Sequence, residues 1–162
     1  MSDQRPLSHL EEDGGSRMVN VGSKALSLRT AEAEAIVRYP KEAFHKILAG
    51  EVPKGGIVEP ARVAGILAAK RTADLIPMCH ALSLDWVQIA IDPCEHGESA
   101  LKVRCRASLE GKTGVEMEAM VGAAVAALTL YAMTKALATG IVVENVRVLE
   151  KTGGKSGTWR AQ

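Results

Sequence analysis

The sequence predicts an α+β domain in which an antiparallel sheet carries helices on one face. Residues 82–91 and 100–109 each alternate apolar and polar side chains with a period of two, and the turn between them predicts a β-hairpin. Residues 121–137 form a long apolar stretch with helical spacing that Gly140 ends, which predicts a buried helix. Helices and hairpins follow one another without the regular spacing of βαβ units, so a parallel sheet is not expected.

Composition restricts the partners of this chain. Its 162 residues fit a single domain. The 20 Lys and Arg residues nearly balance 19 Asp and Glu residues, so the net charge of +1 gives no general attraction to nucleic acid or to an acidic membrane. No apolar run approaches the roughly 18 residues that span a bilayer. Because aromatic residues make up only 3% of the chain, the core is expected to consist of small aliphatic side chains, supplemented by burial between subunits.

Proline, glycine and charge patterns predict the remaining elements. The sequence predicts a strand at 28–39, helices at 41–49 and 60–74, and a strand at 142–149 followed by a Gly/Lys-rich tail. Pro40 and Gly50 frame the first helix, and Pro77 ends the register of the second. Residues 1–16 are a polar stretch typical of a mobile tail, so the domain is expected to span residues 17–162.

The N-terminus and the cysteines indicate the compartment. The first residues lack the positive start and the apolar stretch of a secretory signal, so a cytoplasmic protein is expected. Three cysteines without C-x-x-C spacing favour free thiols, and they are Cys79, Cys94 and Cys105. A zinc site would have to draw on Cys79, His80, Cys94, Glu95 and His96. Adjacent cysteine and histidine residues on one strand rarely face the same ion, so no metal is expected.

His80 and a pair of glutamates are candidates for proton transfer. His80 follows Pro77 and is expected at the start of the strand at 82–91, where it is either a proton carrier at the rim of the sheet or a packed or solvated side chain. Glu116 and Glu118 precede the apolar helix. They point to one face if their segment is extended, and they diverge by about 200° if it is helical, where they would favour the helix N-terminus through its dipole.

Lys135 is a cation in an almost entirely apolar helix. Burial without a partner would favour its neutral amine, a form suited to acid–base catalysis. At the helix end it could instead extend its ammonium group to solvent and interact with the dipole. Lys135 and Glu118 are 17 residues apart, roughly 25 Å along a continuous helix. A site that uses both side chains therefore needs either a non-helical segment at 114–118 or a neighbouring subunit.

Two short motifs resemble the end of a phosphate-binding P-loop. They read GKT at 111–113 and GKS at 154–156, but both lack the earlier glycine of that loop, and no helix follows the second. The P-loop interpretation is therefore rejected. Glycine-rich backbone beside Lys151 and Lys155 can still hold anionic oxygens, and the alternative is a mobile basic tail.

Four separated blocks of the sequence resemble a known family. They read RMVNVGSKA at 17–25, ARVAGILAAKRTADLIPMCH at 61–80, GKTGVEMEAMVGAAVAALTLYAMTKA at 111–136 and KTGGKSG at 151–157. Together they are similar to the molybdenum cofactor biosynthesis protein C family, the cyclic pyranopterin monophosphate synthases. The resemblance extends from Arg17 to Trp159 and is specific, because the four motifs occur in the family's order.

The resemblance implies a fold, an assembly and a reaction. The fold is a ferredoxin-like α+β domain, assembled as a homohexamer, a trimer of dimers with active sites at subunit interfaces. The substrate is (8S)-3',8-cyclo-7,8-dihydroguanosine 5'-triphosphate, called cyclised dihydro-GTP below. The family converts it to cyclic pyranopterin monophosphate and releases pyrophosphate, a lyase reaction of molybdenum cofactor biosynthesis for which no metal or organic cofactor is implied.

The resemblance also implies roles for individual residues. Lys54 and Lys135 correspond to catalytic residues, and Ala132 stands at the position of the family's catalytic Asp. Eight residues correspond to substrate-binding positions: Met78, Cys79, His80, Glu116, Met117, Glu118, Lys151 and Lys155. A triphosphate of about four charges needs several cations, and opening and closing rings needs proton donors and acceptors, so these residue types suit the reaction.

Ala132 departs from the family pattern. The family reads L-T-x-Y-D-M-x-K, whereas residues 128–135 read LTLYAMTK. Alanine neither transfers a proton nor contacts the Lys135 ammonium group one turn later. Asn20 also replaces a usual Asp, and Ala81 a usual Pro. Two interpretations stay open: an enzyme whose activity a natural or introduced Ala132 reduces, or a catalytically silent oligomer that binds the pterin precursor or a nucleotide.

Overall fold

A computed structural model describes residues 14–95, 98–155 and 157–162 of the chain. The helices and strands are, in chain order, β1 (Ser27–Arg38), α1 (Lys41–Leu48), α2 (Val58–Ala69), α3 (Thr72–Leu75), β2 (Trp86–Pro93), β3 (Ala100–Gly111), α4 (Glu116–Thr134), β4 (Val142–Thr152) and β5 (Trp159–Arg160). Of the tail expected at 1–16, residues 1–13 lie outside the described residues.

The strands join one antiparallel sheet in the order β2-β3-β1-β4-β5. Helices α1 to α3 connect β1 with β2, and α4 connects β3 with β4, so the first four strands follow the βαββαβ order of a ferredoxin-like domain. The helices pack on one side of the sheet, which confirms the predicted α+β fold. The hairpin is confirmed too, since β2 pairs with β3 from Trp86 opposite Ser108 to Pro93 opposite Leu101.

The central strand β1 shows why the alternation of its residues predicted a sheet. Ala33 is fully buried under the helices, while Glu32 and Glu34 lie on the opposite face. Their carboxylates pair with arginines of the neighbouring strands, Glu32 with Arg106 of β3 at 2.8 Å and Glu34 with Arg147 of β4 at 2.9 Å. Small side chains on the inner face let the helices approach, and these cross-strand ion pairs favour the observed register on the outer face.

Two glycines set the distance between α4 and its neighbours. A Cβ atom at Gly65 of α2 would lie 2.8 Å from the Gly122 carbonyl oxygen, and a Cβ atom at Gly122 would lie 2.6 Å from Cys105 Sγ. Neither position has room for a side chain, so α2, α4 and β3 meet in close contact. By length and composition α4 could cross a membrane, but half of it is buried inside the domain, as in the core helix of a globular protein.

The single helix predicted over residues 60–74 is wrong, because two helices occupy this region. Helix α2 ends at Ala69, where the Thr72 hydroxyl donates to the Ala69 carbonyl at 3.0 Å. The Arg71 N–H donates to the Ala68 carbonyl, a tight turn in place of the next helical hydrogen bond. These contacts close α2 before the short helix α3 begins.

The strand predicted at 82–91 begins later than expected, at Trp86 of β2. Asp85 fixes this start, because its carboxylate accepts the Glu110 N–H of β3 at 2.8 Å. The residues before Asp85 therefore form a loop. His80 lies in that loop and not at the start of a strand, which corrects the sequence prediction.

The elements at the C-terminal end also differ from the prediction. Helix α4 begins five residues before the helix predicted at 121–137, and it ends at Thr134. Strand β4 continues to Thr152, three residues beyond the strand predicted at 142–149. Strand β5 then pairs with β4, so the chain folds back along the sheet edge. The mobile-tail interpretation is wrong for these paired residues.

Candidate active site

A cleft of about 330 Å³ opens at the N-terminal end of α4. Residues of three segments form it, at 19–24, 78–82 and 113–118. Six of the eight predicted substrate-binding residues line it: Met78, Cys79, His80, Glu116, Met117 and Glu118. A larger hollow of about 510 Å³ lies on the outer face of the sheet, but its lining includes none of the predicted site residues. The fold thus brings most of the predicted substrate-binding residues together in the cleft at α4.

A tight turn presents Cys79 and His80 to the cleft. Met78 has a φ of 68°, a left-handed conformation uncommon for a residue with a side chain, and the Cys79 N–H donates to the Ile76 carbonyl at 3.4 Å. Burial raises the pKa of the Cys79 thiol, and the charge of Glu118 adds to this effect. Cys79 is therefore a neutral thiol near neutral pH, suited to contact a ligand and not to attack one.

A backbone contact fixes the hydrogen-bonding pattern of His80. Its Nε2 atom lies 2.9 Å from the Val19 carbonyl oxygen. Because a carbonyl oxygen only accepts, Nε2 carries the hydrogen, and the neutral ring is left with Nδ1 as an acceptor. His80 is therefore held in the tautomer that can take up a proton at Nδ1.

Glu118 is the most deeply buried carboxyl group of the cleft, with 4% of its surface exposed. Burial raises the pKa of Glu118; a hydrogen bond from its own backbone N–H opposes this shift, and the charge of Glu116 adds to it. A carboxyl group with a raised pKa exchanges its proton closer to neutral pH, which suits acid–base chemistry. Both glutamates lie in the first turn of α4, so the helical arrangement considered from the sequence is the correct one.

Glu116 has one paired oxygen and one unpaired oxygen. Lys151 Nζ lies 3.2 Å from Glu116 Oε1. Oε2 is buried and has no hydrogen-bond partner within the described part of the chain. The side chain folds back over Gly114, where a Cβ atom would overlap the carboxylate. A buried acceptor without a partner is costly, and an N–H group of a ligand in the cleft would satisfy it.

The three predicted catalytic positions form a second cluster at the opposite end of α4. Lys54 Nζ donates to the Ala132 carbonyl at 3.0 Å, and Lys135 follows the last residue of the helix. Lys135 follows Glu118 by 17 residues, which places this cluster about 25 Å from the cleft along the helix. The side chains of Lys54, Ala132 and Lys135 are exposed. The burial considered for Lys135 is therefore wrong, and the alternative of a cation at the helix end is correct.

The two C-terminal lysines differ in position. Lys151 lies in β4 and reaches the edge of the cleft through its ion pair with Glu116. Lys155 lies on the exposed turn between β4 and β5, and it is not among the residues that line the cleft. Six of the eight predicted substrate-binding residues thus line the cleft, Lys151 is paired with one of them, and Lys155 lies outside the lining.

Metal ligands are not assembled in the described part of the chain. No three His, Cys, Asp or Glu side chains come together there in a way that could hold an ion. Of the residues considered for zinc, Cys79 belongs to the cleft, whereas Cys94 lies beside Lys102 and Arg38 on the outer face of the sheet. His96 lies outside the described residues.

Two lysines near the cleft were not predicted from the sequence. Lys24 lines the cleft, and Lys112 Nζ donates to the Gly22 carbonyl at 2.6 Å. Both lie in blocks that carry the family resemblance, at 17–25 and 111–136. Their position in these blocks was the only sequence observation that pointed to them. The folded chain shows in addition that the two segments contact each other at the cleft.

The chain is similar to known proteins over nearly its whole length. Residues 18–154 match the family model described as the MoaC family. A cyclic pyranopterin monophosphate synthase from Novosphingobium aromaticivorans is 48% identical over 155 residues, which cover 96% of this chain and 97% of the relative. A protein of the same name from Brucella ovis is 48% identical over 153 residues, which cover 94% of this chain and 92% of the relative. Every residue that lines the cleft falls within the matched range.

Proposed function

The chain belongs to the MoaC family, and on this basis we propose that it is an enzyme of molybdenum cofactor biosynthesis. It acts as a lyase that converts cyclised dihydro-GTP to cyclic pyranopterin monophosphate and releases pyrophosphate. The observation that carries this proposal is the cleft at the start of α4, which joins the loop of Cys79 and His80 to the turn of Glu116 and Glu118.

The cleft supplies groups for the ring rearrangement. Opening and reclosing the rings requires protons to be removed and returned on both sides of the base. His80 can take up a proton at Nδ1, since Nε2 is engaged with Val19. The carboxyl group of Glu118 and the unpaired Oε2 of Glu116 can accept N–H groups of a guanine-type ring, and Met117 adds an apolar surface beside them.

The phosphate step requires cations. An oxygen of the substrate attacks the α-phosphorus, a new O–P bond forms, and the bond to pyrophosphate breaks, so that pyrophosphate leaves with the electron pair. Lysines stabilise the charge that develops on this leaving group. We assign this task to Lys151 at the cleft edge and to Lys155 on the neighbouring turn. Lys54 and Lys135 are assigned to catalysis, as proton-transfer or phosphate-binding groups.

We propose that the two clusters come from different subunits of a homohexamer, a trimer of dimers. Within one chain they lie about 25 Å apart along α4, farther than a small substrate reaches. The helices also expose large apolar side chains, among them Val63, Leu67, Leu128 and Tyr131. Contact between subunits would bury such side chains and could bring Lys54 and Lys135 of one chain to the cleft of another.

The remaining parts of the proposal concern setting and organisation. The partner is a small-molecule substrate, with no role for nucleic acid or a membrane, and the reaction uses no metal or organic cofactor. The enzyme acts in the cytoplasm. Residues 17–162 form its single domain.

Turnover of cyclised dihydro-GTP separates this proposal from its alternative, a silent oligomer that binds a pterin precursor or nucleotide. Ala132 favours the alternative, because it removes a carboxylate beside Lys54 and Lys135. We expect pyranopterin product from an Ala132→Asp variant, and we expect Lys54→Ala or Lys135→Ala in that background to abolish it.

Two controls separate a loss of catalysis from a general effect of the substitution or a loss of the fold. Lys46→Ala changes an exposed lysine of α1 that lies outside the cleft and should leave product formation unchanged. Melting curves check the fold, because Lys54 also bonds the Ala132 carbonyl. Equal product yields with and without the two catalytic lysines would exclude their assignment. An Ala132→Asp variant that binds the substrate without converting it would favour the silent oligomer.

A further inference from the structure

One wall of the cleft is a strap, defined as residues 19–24, that precedes β1. Its backbone is held by two side chains from distant parts of the chain. His80 Nε2 lies 2.9 Å from the Val19 carbonyl oxygen, and Lys112 Nζ lies 2.6 Å from the Gly22 carbonyl oxygen. The strap is therefore fastened to the loop before β2 and to the turn after β3, the two segments that form the rest of the cleft.

Local hydrogen bonds give the strap a defined shape. Asn20 Oδ1 accepts the Gly22 N–H at 2.8 Å, and the Lys24 N–H donates to the Val21 carbonyl at 3.1 Å. These contacts turn the backbone twice within six residues. The turn brings the side chain of Lys24 to the cleft, with Val19 and Val21 beside it.

An anionic ligand can bind in this cleft only if a cation of the cleft contacts it. Among the described residues that line the cleft, Lys24 is the only lysine or arginine, and Glu116 and Glu118 line the same cleft as potential anions. Lys151 is already paired with Glu116 Oε1. A polyphosphate of about four charges cannot bind next to two carboxyl groups unless a cation within the cleft offsets the repulsion.

We propose that Lys24 binds the phosphate groups of the substrate, and that Lys112 is a positioning residue that acts through the strap. The proposal rests on the proposed function for the identity of the ligand. Lys112 donates to the Gly22 carbonyl and thereby fixes the backbone from which Lys24 extends. The resulting site recognises the chemistry of a di- or triphosphate, with the base held at the glutamate side of the cleft.

Binding measurements on the full chain test this proposal. The probes are cyclised dihydro-GTP, inorganic pyrophosphate and guanosine, each titrated by calorimetry at several salt concentrations. Lys24→Met should weaken binding of the two phosphate ligands at least about tenfold and leave guanosine unaffected, while Lys24→Arg should restore most of the affinity. The affinity of Lys24→Met should also depend less steeply on salt.

Two further variants complete the series. Lys112→Met should weaken the same two ligands, and Lys112→Arg should recover part of the loss, because an arginine can also donate to the Gly22 carbonyl. Lys46→Met, in an exposed lysine of α1 outside the cleft, should match the unmodified chain.

The outcomes separate this inference from the proposed function. Equal pyrophosphate and triphosphate affinities of the unmodified chain and Lys24→Met would overturn it, and so would an equal loss of guanosine binding, which indicates structural damage alone. If the unmodified chain bound pyrophosphate through Lys24 but not cyclised dihydro-GTP, the proposed function would fall and the phosphate site would stand. If it bound neither phosphate ligand, both would fall.

Discussion

The methyl group of Ala132 lies one helical turn before Lys135, on the residue whose carbonyl accepts the Lys54 ammonium group at 3.0 Å. Lys54 thus bonds the backbone, and Lys135 is the i+3 neighbour, of a residue whose side chain carries no charge. An aspartate at this position would contact the Lys135 side chain through the i to i+3 spacing of the helix and would hold it in place. With alanine, no carboxylate at this position orients Lys135, and the geometry for proton transfer is lost.

Ala132→Asp should therefore raise turnover far more than affinity. We expect single-turnover conversion of bound cyclised dihydro-GTP to accelerate at least about a hundredfold, the low end of typical acid–base contributions. Binding should change less, because other cations still meet the triphosphate. Ala132→Asn is the matched control, since it adds a side chain of the same size without the charge. Comparable rates for Ala132 and Ala132→Asp at equal occupancy would mean that another group carries the proton.

The reactivity of the Cys105 thiol is a measure of how well the core between β3 and α4 is closed to solvent. Burial in β3 under α4 raises the pKa of Cys105 to about 12. At pH 9, where an exposed thiol is largely ionised, Cys105 should remain a thiol and should not react with iodoacetamide in the folded protein. Peptide mass mapping should show it labelled only after unfolding. Labelling of Cys105 in the folded protein as fast as that of half-buried Cys94 would contradict this packing.

At the scale of elements, the close contact between α2 and α4 stabilises the packing of the helices on the sheet. Gly65→Ala would place a methyl group 2.8 Å from the Gly122 carbonyl and against Ile89 of the sheet. Overpacking of this kind costs about 1–3 kcal/mol, and the better helix propensity of alanine returns at most about 1 kcal/mol. We expect thermal melting to fall by at least about 3 °C at matched protein concentration.

Gly56→Ala is the control for that prediction. A Cβ atom there meets nothing within 4 Å, and the residue does not require a positive φ. Its melting temperature should stay equal to that of the unmodified chain or rise slightly. Equal melting of Gly65→Ala and Gly56→Ala would show that α2 and α4 are less closely packed than described.

Elements with two distinct faces were predictable from the sequence, and element ends were not. The alternation in β1 and β3 predicted both strands because one face meets the helices and the other meets solvent and ion pairs. Leu82 and Leu84 continue the same alternation, yet they pack against the core from a loop, because pairing with β3 begins only at Asp85. At these positions the apolar residues at every second position indicate which side chains are buried, and they do not indicate that the backbone pairs with a neighbouring strand.

The site was predictable by residue but not by arrangement. The motif resemblance named Cys79, His80 and Glu118, and the fold places all three in one cleft. Nothing in the sequence showed that His80 bonds the Val19 carbonyl or that Lys112 holds the strap, since both contacts join segments far apart in the chain. The exposure of Lys135 was also undecidable from composition, because it depends on α4 ending one residue earlier.

At the scale of the whole molecule, we propose that each chain carries two incomplete sites. The cleft is lined by His80, Glu118 and Lys24, while Lys54 and Lys135 lie at the far end of α4. The helix keeps the backbones of Glu118 and Lys135 about 25 Å apart. In the proposed assembly another chain supplies the missing cluster without unfolding α4, so activity and oligomeric state should be linked. Light scattering should give six times the 17.2 kDa of one chain, and a monomer that turns over substrate would contradict this.

Mixed assembly tests the central claim, that one active site uses the cleft of one chain and the lysine cluster of another. In the Ala132→Asp background, His80→Ala inactivates the cleft and Lys135→Ala inactivates the cluster. Each variant alone should be inactive. Co-expressed with different tags and purified as mixed hexamers, the two variants should recover about a quarter of the Ala132→Asp activity, because random assembly joins an intact cleft to an intact cluster at that frequency. Mixed hexamers as inactive as either variant alone would show that each site is built within one chain.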